Sequence, residues 1–150
     1  MHLQMRQLKT HNIIVDSGFW YALYEKRDEY HEKAIELVEY LEMATIIIPF
    51  PSLYELVNTR FAKRVDYMES FKKIIARENV VLLDDSSYKD TALELTISSS
   101  INLKKPFSLV DMIIRLMISD VDMNIHYLLT FNKGDFIDVC LPRNINILSE

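Results

Sequence analysis

The chain has 150 residues, of which 49% are hydrophobic and 26% charged, with a formal net charge of −5. This is the composition of one globular domain, long enough to bury a sizeable core without disulfides or a structural metal. Two glycines exclude a Gly-rich phosphate cradle, one cysteine excludes an intramolecular disulfide or a Cys-based zinc site, and the acidic balance counts against a large basic phosphate-tracking surface, though not against nucleic acid as such.

Residues 1–11 are polar and lack the apolar core of a signal peptide, so they read as an N-terminal extension. A first apolar burst covers Asn12–Val15 and a second residues 45–48. The later bursts are Val80–Leu83, residues 126–130 and residues 145–148. Short apolar bursts without polar alternation predict strands buried on both faces. Between them lie helical patterns. In residues 31–43, Ile35, Val38 and Leu41 form a stripe, while Glu32, Glu36 and Glu39 face the other way. Similar segments are predicted over residues 52–64, 66–77, 87–99 and 108–119. Alternating strands and helices predict an α/β fold: a three-layer α/β/α sandwich around a central, mostly parallel five-stranded sheet, with residues 1–150 as one domain. No apolar stretch is long enough to span a bilayer. With Cys140 consistent with a reducing cytosol, the expectation is a soluble cytoplasmic protein.

The acidic residues fall at particular places in this pattern. Asp16 follows the first burst directly. Glu55 lies in the helix after the second burst, and Asp111 one turn into the helix before the fourth. Asn132 and Asp135 follow the fourth burst. In a doubly wound sheet, ligands bind at the carboxyl ends of the strands, where the helix N-termini also lie. All these residues are thus expected on one edge, from four distant parts of the chain. Carboxylates so gathered raise one another's pKa, and the usual compensation is a divalent cation with oxygen ligands, Mg²⁺ or Mn²⁺. Each acid alone reads more readily as local structure: Ser52 to Glu55 and Ser108 to Asp111 as capping boxes, Asp16 as an N-cap, Asp135 as part of a turn around Gly134. The joint pattern favours a site, and Glu55 and Asp111 can serve both ends. Asp84 and Asp85 look like a helix start. The four histidines have no metal-ligand spacing; His31 is expected to open a helix and His126 a strand.

Four segments carry a family resemblance. They are Ile13-Ile14-Val15-Asp16-Ser17-Gly18-Phe19-Trp20, followed by Asp28-Glu29-Tyr30-His31-Glu32-Lys33-Ala34; Glu55-Leu56-Val57-Asn58; Ser108-Leu109-Val110-Asp111; and Thr130-Phe131-Asn132-Lys133-Gly134-Asp135-Phe136. In this order and spacing, over nearly the whole chain, they resemble the PIN-domain nucleases, particularly the VapC-like toxins of toxin–antitoxin pairs. The departure is Asn132, where the family often has Asp; asparagine keeps an oxygen ligand but loses a charge.

The resemblance implies a metal-dependent endoribonuclease that leaves a 5′-phosphate, the toxin of a type II pair. It implies Asp16, Glu55, Asp111 and Asp135 as catalytic residues, and Asp16, Asp111, Asn132 and Asp135 as ligands of Mg²⁺ or Mn²⁺. Ser17, Asn58 and Thr130 would support them, and Lys104, Lys105, Arg115 and Lys133 could contact RNA phosphates, each also reading as solvated surface charge. A small antitoxin is the implied partner, and the family tends to dimerise. The apolar run from Phe50 to Phe71, with Leu53, Tyr54, Leu56, Val57, Phe61, Val65, Tyr67 and Met68, reads equally as helix-on-helix packing or as a groove for an antitoxin helix. Two rivals are a catalytically weak or inactive PIN module acting in RNA or protein binding, supported by Asn132 and the net charge, and a flap-type DNA nuclease, for whose extra acids and helices 150 residues leave little room.

Overall fold

The computed structural model describes residues 11–103 and 106–149. Five strands, β1 (Asn12–Val15), β2 (Thr45–Pro49), β3 (Val80–Leu83), β4 (Tyr127–Leu129) and β5 (Asn146–Leu148), form one sheet in the order β3-β2-β1-β4-β5. Every pairing is parallel. The helices are α1 (Ser17–Tyr24), α2 (His31–Leu41), α3 (Phe50–Leu56), α4 (Thr59–Ala62), α5 (Val65–Ile75), α6 (Lys89–Asn102), α7 (Leu109–Ser119) and α8 (Ile137–Cys140), with 3₁₀ turns at Lys133–Asp135 and Leu141–Arg143. Among the described residues no helix is long and apolar enough to cross a membrane.

The period-2 geometry of the strands divides the core into two layers. Ile13, Val15, Ile46, Ile48 and Leu129 face one side and pack with Phe19 and Trp20 of α1, Leu37 and Leu41 of α2, Leu56, Phe61 and Phe71. Ile14, Ile47 and Leu128 face the other, against Ala92 of α6, Met112, Ile114, Met117 and Ile118 of α7, and Cys140. Helices α1 to α5 therefore cover one face and α6 to α8 the other, which is the three-layer sandwich the alternation predicts.

Three local expectations differ. The central strands are buried on both faces, but β3 and β5 are not: Val81 and Leu82 are exposed, and so is Asn146. Both strands lie at sheet edges, where an apolar run has a neighbour on one side only. The single helix expected over residues 52–64 is two, broken at Val57 and Asn58. The Asn58 side chain accepts from Phe61 N at 3.0 Å and donates to Glu55 O at 3.0 Å, so it ends one helix and caps the next. The capping box expected at Ser52 is absent as well. Helix α3 begins at Phe50 with Pro51 in its first turn, a position that needs no N–H, and the Ser52 hydroxyl is buried without a partner.

The strand order places a switch point between β1 and β4, where the chain, after winding outward through β2 and β3, returns across the sheet. A crevice opens at the carboxyl ends of two strands whose connections depart in opposite directions. Asp16 closes β1 there and Thr130 closes β4, with Asp16 N donating to Leu129 O at 3.0 Å and Thr130 N to Leu148 O at 3.3 Å. The α7–β4 connection is fastened by Arg143, whose guanidinium donates to the carbonyls of Ile118 (2.7 Å), Asp120 (2.6 Å) and Met123 (2.9 Å).

Candidate functional site

Asp16 stands at the centre of the switch point and is only 4% exposed. It is the N-cap of α1, accepting from Ser17 N at 2.8 Å through Oδ1. Its other oxygen, Oδ2, accepts from the buried Thr130 hydroxyl at 3.0 Å. The Thr130 oxygen in turn accepts from Asn132 N at 3.0 Å, so one hydroxyl ties the β1 carboxylate to the turn after β4. The N-cap reading and the site reading of Asp16 are thus compatible. One oxygen caps the helix, and both are held by fixed donors.

Glu55 reaches the same place from α3. Its Oε1 accepts from Ser17 Oγ at 3.1 Å, linking the second helical face to the residue after Asp16. Asp111 arrives from the opposite layer, in the first turn of α7, where Ser108 is the N-cap and its hydroxyl accepts from Asp111 N at 3.0 Å. Asp135 ends the 3₁₀ turn that Asn132 begins. Four elements from both layers thus deliver one carboxylate each.

Electrostatics shows that these carboxylates sense one another. Burial pushes the Asp16 pKa up, against the bonds from Thr130 and Ser17, and the Glu55 charge adds to the rise. Desolvation raises Glu55, and the charge of Asp111 raises it further, while the Ser17 bond opposes. Asp111 is pushed up to about 6 by burial and by the charges of Asp16 and Asp135, with Ser108 and Arg115 opposing. In each case desolvation is the largest cause and a neighbouring carboxylate contributes.

This set of side chains suits a hard cation by its chemistry: the donors are carboxylate oxygens whose repulsion a divalent ion would relieve. The set is not a closed cage, however. Among the described residues, no three His, Cys, Asp or Glu side chains form a group that could hold a metal ion as placed. The acids are electrostatic neighbours around a crevice, and a cation would have to draw the outer ones inward.

The supporting residues have defined tasks. Ser17 orients Glu55, Thr130 orients Asp16, and Asn58 acts on the backbone of Glu55. Arg115 has a different surrounding from the one its sequence position suggests. It forms a two-pronged pair with Asp138 at 2.7 and 2.6 Å, donates to Asp135 O at 2.7 Å, and lies 4.2 Å from the Phe107 ring centre. It braces the turn carrying Asp135, leaving little of the guanidinium for a phosphate. Its partner lies 23 residues away, so no local pattern reveals the pair. Lys133 is exposed beside the site. Lys104 and Lys105 lie outside the described residues, as does the N-terminal extension up to residue 10. His31 does open α2, with its Nδ1 2.7 Å from Ala22 O, and His126 precedes β4, its Nδ1 accepting from Asn12 N at 3.0 Å. Cys140 is buried, and burial raises its thiol to about 11, an unreactive state.

No protein-family model and no curated protein sequence matches the chain. Among solved structures, the chain is similar to Mycobacterium tuberculosis VapC20, described as a sarcin–ricin-loop-cleaving toxin, with a TM-score of 0.63 at 18% sequence identity. The match covers 84% of this chain and 94% of that one. At this identity the likeness establishes architecture, and the architecture is the PIN-like α/β/α fold of the VapC type.

Proposed function

We propose that the protein is a divalent-metal-dependent endoribonuclease of the PIN type, one domain long, acting as the toxin of a toxin–antitoxin pair in the cytoplasm. The observation that carries this reading is the convergence of Asp16, Glu55, Asp111 and Asp135 on the β1–β4 switch point, where burial and the charges of neighbouring carboxylates raise the pKa values of Asp16, Glu55 and Asp111. A purely structural role would separate or pair such charges rather than gather them. VapC20, with the same fold, is described as an RNA-cleaving toxin, which supports the same class of substrate for this chain.

Asp16 and Asp111 would hold Mg²⁺ or Mn²⁺, with Asn132 and Asp135 completing the oxygen donors. When bound, the cation would acidify a water molecule and neutralise charge on the scissile phosphate. The remaining work belongs to the protein. Thr130 and the Ser17 N–H keep both Asp16 oxygens in one orientation. Ser17 Oγ holds Glu55 at the crevice, where its carboxylate would orient the attacking water and take its proton. Burial, helped by the charge of Asp111, raises the Glu55 pKa above the ordinary carboxylate value, which makes the carboxylate a better proton acceptor. Arg115 keeps the Asp135 turn in place.

An apolar groove of about 430 Å³, lined among others by Leu53, Val57, Val65, Met68 and Ile75, runs between α3 and α5. It would seat the antitoxin helix. Leu56 and Phe61, counted in the same apolar run, belong instead to the core.

The test is cleavage of single-stranded RNA by the purified protein in Mg²⁺ or Mn²⁺, with product ends mapped. Cleavage that vanishes in EDTA and in both Asp16→Asn and Asp111→Asn supports the reading; cleavage that survives both substitutions refutes it. The second reading, a catalytically weak module for RNA or protein binding, draws on Asn132 and on the lack, among the described residues, of a preassembled three-side-chain metal group. A thermal shift with millimolar Mn²⁺ separates the two: no shift favours the module.

A further inference from the structure

Tyr30 lies in the turn between α1 and α2, and its ring stacks on Phe131 at 4.5 Å between centroids and 4° between planes. Phe131 is the residue between Thr130, whose hydroxyl holds Asp16, and Asn132, the first residue of the site turn. The stack therefore brings a segment about 100 residues away in sequence to the rim of the acidic crevice.

Both rings are firmly held. Phe131 packs against the fully buried Phe19, 6.4 Å away. Tyr30 N donates to Asp28 Oδ1 at 2.8 Å, and Tyr30 O accepts from Ala34 N at 2.9 Å, which anchors the residue to the first turn of α2. Yet Tyr30 remains 39% exposed although Phe131 covers one ring face. A core aromatic would be covered on both faces, and a solvated loop tyrosine would not be pinned at both its backbone and its ring. The row Phe19, Phe131, Tyr30 leads from the core to the surface and ends in a half-open aromatic ring stacked on the segment that carries Thr130 and Asn132.

We propose that the open side of Tyr30 is a stacking platform for one nucleobase of single-stranded RNA, next to the scissile phosphate. This rests on the ribonuclease reading and adds to it a contact with a base. The chemistry fits the surroundings. An acidic rim offers little to a phosphate backbone outside the metal site, whereas stacking is indifferent to charge and tolerates any base. A two-torsion aromatic side chain already fixed in place loses little entropy on binding. Tyr30 is then a positioning residue that sets the register of the RNA relative to the carboxylates.

The experiment uses the full chain and a single-stranded RNA carrying 2-aminopurine at successive positions, with binding followed by fluorescence in Ca²⁺ and again in EDTA. The variants are Tyr30→Phe, Tyr30→Ala and Tyr30→Leu, the last keeping an apolar cover on Phe131 if the alanine variant unfolds. The expected result is quenching confined to one or two positions. Affinity should be retained within about two-fold in Tyr30→Phe and fall roughly 5- to 150-fold in Tyr30→Ala or Tyr30→Leu, the range for loss of one base–aromatic stack. In cleavage assays the same loss should appear in KM, with kcat changed far less. RNA that binds the wild type and the leucine variant equally, or quenching insensitive to position 30, overturns the platform and leaves the nuclease reading standing. A wild type that binds no RNA in either buffer overturns both, and a Tyr30 variant that loses binding to a protein partner but not to RNA assigns the ring to that partner.

Discussion

Asp111→Asn separates the demands of folding from those of the site. In the metal-free protein the Asp111 carboxyl is raised from 3.8 to about 6 by burial and by the charges of Asp16 and Asp135. Its folded-state pKa is above its unfolded value, so between about pH 4 and pH 6 the folded state binds more protons. The stability this contributes is fully present below pH 4 and is lost as pH rises through about 6. A shift of about two units is equivalent to about 3 kcal/mol. Asp111 is only half-buried, and solvent screening reduces the figure to about 1–2 kcal/mol. The asparagine has the same shape, can still accept from Ser108 and carries no charge. In EDTA at pH 7.5 the variant should therefore be more stable than wild type by about 1–2 kcal/mol, or roughly 3–8 °C in Tm, and at pH 4 the difference should nearly vanish. Millimolar Mn²⁺ should reverse the order, because only the wild type gains binding energy from a full set of carboxylates. The assay is thermal unfolding of both proteins across pH 4–8, with EDTA or Mn²⁺. A variant no more stable than wild type at pH 7.5 in EDTA, or a difference that does not change with pH, would refute the claim that the fold holds the Asp111 charge at a cost, chiefly from burial and further from the neighbouring carboxylates.

Other substitutions probe the supports. Thr130→Val removes the donor to Asp16 Oδ2 and the acceptor for Asn132 N inside a buried site; it should cost about 1–3 kcal/mol in denaturant titration and lower cleavage at least ten-fold. Arg143→Ala leaves three carbonyls of the α7–β4 connection without their charged donor, and should destabilise by about 2–3 kcal/mol while leaving KM for RNA unchanged. Arg115→Lys keeps the charge but not the two-pronged geometry toward Asp138. It should weaken Mn²⁺ binding, read as a smaller thermal shift, with little change in stability in EDTA. Ser17→Ala frees Glu55, and should reduce kcat several-fold while the pH profile shifts, since the bond that opposes the rise in the Glu55 pKa is lost.

Placement of the acids along the chain was legible because it depends on local chemistry. An apolar run such as Asn12–Val15 reads as a strand by its length and branching, and Asp16 is then necessarily at its carboxyl end. Ser108 and Asp111 read as a helix start because a hydroxyl three residues before an amide can cap it, as it does. The same logic misled at Ser52, where Phe50 and Pro51 start the helix earlier and the local signal loses to backbone geometry. It misled again at residues 52–64, where a continuous apolar period concealed the Asn58 cap.

Sequence by itself thus determined the alternation of strands and helices, the two-layer core and the presence of an acid at each carboxyl-edge position, because periodicity and strand ends are properties of neighbours along the chain. Only the tertiary structure decided which strands lie at the edges, that Asp16 and Thr130 share a hydrogen bond 114 residues apart, that Arg115 is held by Asp138, and that Tyr30 lies flat on Phe131. Those pairings follow from sheet order and layer packing, which bring together side chains whose local sequence carries no trace of the partner.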